Sequence, residues 1–514
     1  MFTKKKFLLI AILFLALFLR VYKLADNFVF GVDEEYQAYL AQAIIKNFHI
    51  IWVGVSSTAD FYLGPFWTYL TSGLLYLSNG DPLITGYFAA FLGVATTLAV
   101  FVFGNKLYGY KTGILAALLY SSLPLVVYFD QKYWNVSLVP MLSLVLLLSI
   151  YSSRKNEKWW IVFALAYGLV FHTHLSLAPI GIVAFIFIIS QRKKIHLKTY
   201  LLSVLVFIIV ISPLIAFDYF HKWSNLTFPV RLINNSDKGS GRVSPLYKIN
   251  AFGQTLGRLV YLNPHTDSAD EINWGCTSMS NGKYFQDKSD KYWQTIDSIT
   301  SRTTPSQLLI LSVLLILIWF LTRKVLWLKD NTKLLIIAIS TLLVCFLLFP
   351  GDAFDYYLIG LFPLLLFIPG ILMDKAGLSG KTIIAGTLIT LSFLGVRTVV
   401  TSTNDYGLEV KRQLISEVNK VVGKEPFELK SEGMCHIAEG WRYLFSVYGR
   451  KPEVSDTDKM FGWLYPDEIT GKAGTYQVIM QETRVPLPFK SDIKNSLLLT
   501  KGGFAANIVY VPIE

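Results

Sequence analysis

The chain has 514 residues, of which 53% are hydrophobic and only 16% are charged. Soluble globular proteins carry about 25% charged residues, so this composition excludes a chain that is water-soluble throughout and predicts long membrane-embedded segments. The formal net charge is +12. The lysines and arginines lie in short loops between apolar runs, which indicates membrane orientation and excludes a nucleic-acid partner.

Apolar runs predict about eleven transmembrane helices. The first, 7–21, follows three lysines and is not followed by a small-residue cleavage site, so we expect an uncleaved helix with its N-terminus in the cytoplasm. The other runs lie at about 83–104, 112–129, 136–151, 159–172, 175–190, 198–217, 307–322, 333–349, 357–373 and 382–400. Basic residues recur in alternate loops, which predicts a multi-pass protein of the plasma membrane.

Three long segments are then predicted outside the cytoplasm: 22–82, 218–306 and 401–514. The last alternates between helical and strand patterns, with helices near 408–422 and 439–448 and strands near 427–430, 475–481 and 507–511. The predicted fold class is therefore mostly α. We expect a polytopic membrane domain over residues 1–400 and a small extracytoplasmic α/β domain over residues 401–514.

Three consecutive acids, Asp33, Glu34 and Glu35, directly follow the first apolar run. Because carboxylates are costly in lipid, we expect them at the membrane surface. The residues after them have apolar side chains at helical spacing, so Asp33 lies at or just before a helix N-terminus. Two interpretations stay open: Asp33 caps that helix, or it acts as a general base.

Further polar residues collect at the outer ends of the predicted spans. They are Asp130, Lys132, Tyr133, Trp134 and Asn135, then His172 and His174, then Asp352, Asp355, Tyr356 and Tyr357, together with Arg231, Arg242 and Arg258 in the second outer segment. Each has a structural explanation, such as a snorkelling lysine, an aromatic belt or a helix cap. Their position on one face favours a site in which cations meet the phosphate of a lipid carrier.

Several other patterns carry less information. Asp456-Thr457-Asp458 imitates the metal-nucleotide motif of soluble sugar transferases, but three-residue matches are common by chance. Cys276 and Cys435 are both predicted outside the cytoplasm, where they would either pair or stay free. In the tail, Trp441, Tyr443 and Trp463 would either stack on sugars or form the core of a small domain.

With these residues in place, the sequence resembles the lipid-linked-sugar glycosyltransferases of the GT-C class. The nearest members are bacterial relatives of the protein O-mannosyltransferases and of the aminoarabinose lipid A transferases. The resemblance covers residues 5–400. It rests on Asp33-Glu34 with Tyr36 and Ala41, Gly64-Pro65, Tyr69-Leu70, Tyr133-Trp134-Asn135, the stretch 168–174, and Tyr356-Tyr357 with Pro363.

The resemblance implies transfer of a sugar from a polyprenyl-phosphate donor to an extracytoplasmic glycan, lipid or protein by an inverting displacement. Asp33 would be the general base. Glu34 would support it, or help to hold a divalent cation if one is used; no metal site is predicted. The candidates for binding the donor phosphate are Lys132, His174 and Arg258, and those for lining the pocket are Asp130, His172, Tyr356 and Tyr357. Lys132 stands where many relatives have an arginine.

Two other functions remain open on the sequence. A transporter or flippase for lipid-linked sugars would need ionisable residues inside the spans or helices broken at the midplane. A scaffold without activity that displays residues 401–514 would have a cavity without a cation for the phosphate.

Overall fold

The structure is a computed structural model that describes residues 4–56, 61–191, 195–235, 245–260, 330–349, 354–402, 404–432, 440–470, 474–483 and 496–511. The apolar run 307–322 lies outside these ranges. So do Cys276, Cys435, Arg242 and Asp352. The described residues form a large helical bundle, followed by a small domain built around a β-sheet.

The bundle contains seventeen described α-helices. They are α1 (Lys4–Val21), α2 (Leu24–Asn27), α3 (Val32–Asn47), α4 (Phe66–Leu77), α5 (Leu83–Tyr108), α6 (Tyr110–Ser122), α7 (Pro124–Gln131), α8 (Val139–Ser152), α9 (Trp159–Thr173), α10 (Ile180–Gln191), α11 (Leu197–Phe220), α12 (Ser224–Asn235), α13 (Pro245–Val260), α14 (Asp330–Leu348), α15 (Phe362–Leu365), α16 (Phe367–Lys375) and α17 (Leu378–Thr401). Short 3₁₀ helices occur at Asn135–Leu138, Leu175–Leu177 and Asp355–Leu361.

Within the described ranges, six helical segments are long and apolar enough to cross a membrane: Leu83–Tyr108, Asn135–Ser152, Leu197–Phe220, Asp330–Leu348, Asp355–Asp374 and Leu378–Thr401. Helices α6 and α7 together would make a seventh, but they meet at an angle of 64°. Pro124 begins α7, and a proline at this position cannot continue the hydrogen bonding of the preceding helix. The multi-pass helical architecture is confirmed for the described residues, whereas the predicted number of about eleven spans is not.

Close contact between α5 and α6 holds the first part of the bundle together. A Cβ atom on Gly104 would lie 2.7 Å from the Cα atom of Gly113, so neither position leaves room for a side chain. Small residues let helix backbones approach closely, which is the usual way in which membrane helices pack. Helix α6 leads directly to α7, and the C-terminal end of α7 lies next to the candidate site.

The predicted α/β tail is confirmed. It consists of α18 (Leu408–Val422), β1 (Phe427–Glu432), α19 (Trp441–Tyr448), β2 (Val454–Ser455), α20 (Asp458–Phe461), β3 (Tyr476–Glu482), β4 (Ser496–Lys501) and β5 (Phe504–Tyr510), with 3₁₀ helices at Gly462–Leu464 and Pro466–Glu468. The strand order is β2-β1-β3-β5-β4. Strand β1 is parallel to β2 and β3, whereas β5 is antiparallel to β3 and β4.

Apolar packing joins this domain to the segment that precedes α3. The same buried cluster contains Leu414 and Ile415 of α18 and Phe28 and Phe30 of the first outer segment. Burial of such side chains contributes about 1.5–3 kcal/mol each, so the tail docks on the bundle through a continuous apolar core.

Two alternatives for the tail are resolved by burial. The side chains of Trp441 and Tyr443 are buried and therefore belong to the core, whereas Trp463 is 65% exposed. Both aspartates of the three-residue motif are occupied within the domain. Asp456 Oδ2 accepts a hydrogen bond from the Ser431 backbone N–H at 2.8 Å, and Asp458 pairs with Arg442 at 3.2 Å.

Candidate functional site

The three consecutive acids of α3 have three different surroundings. Helix α3 begins at Val32, and successive residues of an α-helix are rotated by about 100°. Asp33 is exposed, Glu34 is 8% exposed and Glu35 is fully buried. The carboxylate of Asp33 is therefore directed to solvent, that of Glu34 to the bundle and that of Glu35 to the C-terminal domain.

Asp33 does not act as the helix cap. The N-cap residue is Gly31, and its backbone N–H donates to Glu34 Oε2 at 3.0 Å. Within the described part of the chain, the Asp33 carboxylate makes no hydrogen bond or ion pair. The capping interpretation of Asp33 is wrong, and its carboxylate is left accessible at the first turn of α3.

Glu34 forms an ion pair with Lys132, the residue that follows α7. The distance between Glu34 Oε1 and Lys132 Nζ is 3.7 Å, which is an ion pair but too long for a hydrogen bond. The side chains are 6% and 7% exposed. Burial raises the pKa of Glu34 above its usual value, and the neighbouring Asp33 charge raises it further, although Lys132 and the Gly31 N–H act in the opposite direction. The ion pair is therefore buried, and its two side chains are not hydrogen-bonded to each other.

Lys132 lies beside a group of half-buried rings, which we call the aromatic wall: Trp134, His174, Tyr356 and Tyr357. Lys132 Nζ lies 4.5 Å from the centre of the Trp134 ring. The Trp134 and Tyr356 rings are 4.9 Å apart. His174 is 5.6 Å from Tyr356 and 5.2 Å from Tyr357. Residues predicted from three separate parts of the sequence thus meet beside Lys132.

The loop that carries Lys132 is held by local hydrogen bonds. The Ser137 hydroxyl donates to the Lys132 carbonyl at 3.0 Å and accepts from the Trp134 N–H at 3.2 Å. The side-chain amide of Asn135 donates to the Thr173 carbonyl, which ties this loop to the end of α9. Serine and asparagine favour such side-chain to backbone bonds in turns, so the loop has a defined conformation.

Arg258 reaches the far end of the aromatic wall from α13. Its guanidinium forms an ion pair with Asp355, the residue before Tyr356. Thr255 also donates to Asp355 Oδ1 at 2.6 Å. The Nε atom of Arg258 is buried without a hydrogen-bond partner in the described residues. Arg258 is thus next to the wall, with one donor still unsatisfied.

Asp130 has a different role from the one expected of a pocket residue. It accepts two hydrogen bonds from Arg20, at 2.9 Å from Nε and 2.7 Å from Nη2. Arg20 is fully buried and also donates to the carbonyls of Ala16, Tyr120 and Ser121. Asp130 is 5% exposed, so this pair ties α1 to α6 and α7 in the interior of the bundle.

His172 also serves the bundle. Its Nε2 atom is 2.8 Å from the Val210 carbonyl and its Nδ1 atom is 3.3 Å from the Phe66 backbone N–H. A ring that donates from one nitrogen and accepts at the other is neutral. A Cβ atom on Gly64 would lie 2.1 Å from Nδ1, so only glycine fits there. The helix-capping interpretation describes His172 better than a pocket role.

The sequence pattern pointed to no role for Arg20, Glu35 or Lys411, although all three are buried. An arginine that ends an apolar run was the available signal for Arg20, because a charge at that position needs a partner. In the described residues, no group of three or more His, Cys, Asp or Glu side chains is arranged to hold a metal ion. Glu34 was expected to hold a divalent cation only if one is used, and no metal site was predicted.

Comparison with known proteins gives a partial match in sequence and a full-length match in fold. Residues 62–217 match the family model described as dolichyl-phosphate-mannose-protein mannosyltransferase. This region includes Lys132, His172 and His174. No curated protein matches the chain.

Two solved structures share the architecture. ArnT from Cupriavidus metallidurans in the apo state has a TM-score of 0.58 at 11% identity, covering 98% of this chain and 97% of that chain. The Archaeoglobus fulgidus oligosaccharyltransferase in the apo form has a TM-score of 0.50 at 12% identity, covering 92% of this chain and 69% of that chain. At such identities the likeness shows the fold. The expected resemblance is confirmed: the chain resembles the GT-C class of lipid-linked-sugar glycosyltransferases, both in its fold and in the family match of residues 62–217.

Proposed function

We propose that this protein transfers a sugar from a polyprenyl-phosphate donor to an extracytoplasmic acceptor by an inverting displacement. One observation carries the proposal: the accessible carboxylate of Asp33 lies one residue from Glu34, which forms an ion pair with the buried Lys132. A base and a cation for a phosphate are thus supplied at the same place. The family that residues 62–217 match is named for a dolichyl-phosphate-linked sugar, which supports a lipid-phosphate donor.

The reaction follows from the chemistry of these groups. Asp33 would take a proton from a hydroxyl or amine of the acceptor while the freed lone pair attacks the anomeric carbon of the donor sugar. The bond between that carbon and the phosphate oxygen breaks, and its electron pair stays on the phosphate. Polyprenyl phosphate leaves, and attack from the opposite face inverts the anomeric configuration.

Lys132 is the first candidate for stabilising the departing phosphate. Its ammonium group forms an ion pair with Glu34 at 3.7 Å, and phosphate oxygens at hydrogen-bond distance would form a charge-assisted interaction with it. His174 would also contact the phosphate, and Tyr356 and Tyr357 would line the same pocket. Arg258 would add a second cation from the other end of the aromatic wall, where Asp355 orients it.

The proposed reaction is extracytoplasmic. It requires Asp33, the aromatic wall and residues 401–514 outside the cytoplasm, and the N-terminus inside. The alternation of basic and non-basic loops in the sequence supports this orientation. Glu34 would keep Lys132 in place until donor binds, and its raised pKa allows it to become neutral when a phosphate takes over the lysine.

Purified protein in lipid vesicles, supplied with a panel of polyprenyl-phosphate sugars and acceptors, tests the proposal. Asp33→Asn should insert normally but lose transfer by about 10²–10⁴-fold, the usual contribution of a general base. Asp405→Asn is the matched control, because Asp405 is also exposed, and it should keep full activity. The anomeric configuration of the product, read by NMR, tests inversion.

Three outcomes would count against the proposal. Retained turnover in Asp33→Asn would remove the base from its role. Product with retained configuration would exclude a single displacement. Movement of donor between the leaflets without any product would favour the transporter.

A further inference from the structure

The C-terminal domain holds the chain just before Asp33. The Leu408 backbone N–H donates to the Phe28 carbonyl at 2.8 Å. Lys411 Nζ donates to the Phe30 carbonyl at 2.9 Å. Lys411 is 1% exposed, and its ammonium lies 4.8 Å from the ring of Trp441. A buried charge that donates to a distant backbone carbonyl fixes both partners, because neither can return to water without losing the bond.

The same domain holds the chain just after Asp33. Glu35 Oε1 accepts a hydrogen bond from the Tyr443 backbone N–H at 2.9 Å. Tyr443 is the third residue of α19, so its N–H is one of those that the helix itself leaves unpaired. Glu35 therefore caps a helix that is more than 400 residues away, where a carboxylate also interacts favourably with the helix dipole.

Backbone contact and ring stacking complete this interface. Gly440 has φ 77°, and a Cβ atom there would lie 2.6 Å from Phe30 Cδ1 and 3.0 Å from the Phe30 carbonyl oxygen. Tyr36 stacks on Phe461 with ring centres 5.3 Å apart. A side chain at position 440 would thus push the tail away from the segment that carries the acids.

We infer that the C-terminal domain is a positioning element of the proposed transferase site, and that Lys411 and Glu35 are its positioning residues. The inference rests on the proposed function of Asp33. Asp33 has no partner within the described residues that fixes its carboxylate, so its place depends on the backbone from Phe30 to Glu35. A displacement of about 1 Å at a reacting group costs on the order of 10²-fold in rate.

The inference also decides how the domain acts. Neither Lys411 nor Glu35 has to touch the donor or the acceptor, because both are buried between the tail and α3. Their loss should therefore slow the chemical step and leave donor binding unchanged. A domain that only displays a surface would have no such effect on turnover.

Four full-length variants test this in the vesicle assay. Lys411→Met and Glu35→Ala should lower kcat by about 10-fold or more, with an unchanged KM for donor. Glu35→Gln keeps a side-chain oxygen for the Tyr443 N–H and should retain most of the activity. Lys46→Met is the control, because Lys46 bridges the same boundary to Glu468 at 2.7 Å but is 51% exposed; it should match wild type.

Hydrogen exchange separates positioning from a general loss of folding. In Lys411→Met, exchange at residues 30–36 should rise while exchange in α5 stays at the wild-type level. If Glu35→Ala does not fold, Lys411→Met still carries the test. Wild-type kcat in Lys411→Met, or a loss that merely follows the folded fraction, would overturn the inference.

Failure of the inference is distinguishable from failure of the proposed function. If wild type transfers sugar and Asp33→Asn does not, while Lys411→Met equals wild type, only the positioning role is lost. If wild type transfers no sugar from any donor, the proposed function is lost with it.

Discussion

Two buried ion pairs lie at neighbouring positions of one chain segment. Asp130, near the end of α7, pairs with Arg20 at 2.7 Å, and the guanidinium makes further hydrogen bonds to three carbonyls. Lys132, two residues later, pairs with Glu34 at 3.7 Å. The two pairs are similarly buried, but only in the first are the two side chains close enough to hydrogen-bond to each other.

The difference separates a structural pair from a site. Arg20 is saturated, and any ligand at Asp130 would first have to disrupt contacts among α1, α6 and α7. The partner of Lys132 is a carboxylate with a raised pKa, so in the proposed reaction Glu34 becomes neutral when a phosphate takes its place. Residue type and burial alone would not have distinguished the two pairs.

Breaking the tight pair should have the largest effect on stability. Asp130→Ala leaves the Arg20 guanidinium buried without its carboxylate partner, and arginine cannot become neutral by losing a proton. We expect a loss of about 3–5 kcal/mol in the free energy of unfolding. The midpoint of unfolding in detergent, followed by circular dichroism, measures it. Asp33→Asn should leave the midpoint unchanged, and an equally small shift for Asp130→Ala would refute the structural role of this pair.

Glu35 extends the comparison to a buried carboxylate whose hydrogen bond comes from a neutral backbone N–H. Burial raises its pKa from 4.5 to about 7, although the Tyr443 N–H, Lys411 and Arg442 lower it and Asp456 adds to the increase. The folded state thus holds a proton that the unfolded state releases. The contribution of Glu35 to the free energy of unfolding should therefore fall by about 3 kcal/mol as the pH rises from 4.5 to 7.

Unfolding midpoints measured across this pH range test the titration of Glu35. Glu35→Gln, which has no ionisable carboxyl at this position, should show a flatter profile than wild type. A profile as steep as that of wild type would assign the pH dependence to other groups.

Breaking the ion pair between Lys132 and Glu34 should affect activity more than folding. Lys132→Met leaves Glu34 buried, but the raised pKa of Glu34 lets it take up a proton and become neutral. We expect a normal unfolding midpoint and a loss of transfer of about 100-fold, or about 2.7 kcal/mol of transition-state stabilisation. Lys132→Arg should recover much of this loss, because arginine also donates to phosphate. Full activity in Lys132→Met would move the phosphate site elsewhere.

Local properties of the sequence determined most of the architecture. Apolar runs predicted helices in the bundle, alternating patterns predicted the α/β tail, and the three acids were expected at the start of a helix. The number of spans was less well determined. Apolar length alone does not show that α6 and α7 meet at 64°, because the bend depends on how the chain packs after Pro124.

Only the tertiary structure decided which polar residues belong to the site. Asp130 and Arg20 are 110 residues apart, and Glu35 and Tyr443 are 408 residues apart. Whether a carboxylate pairs with another residue or stays accessible depends on the rotation of its helix and on what packs against that face. Hydrophobic periodicity reports the type of an element, whereas the partner of each charge is set by contacts between distant elements.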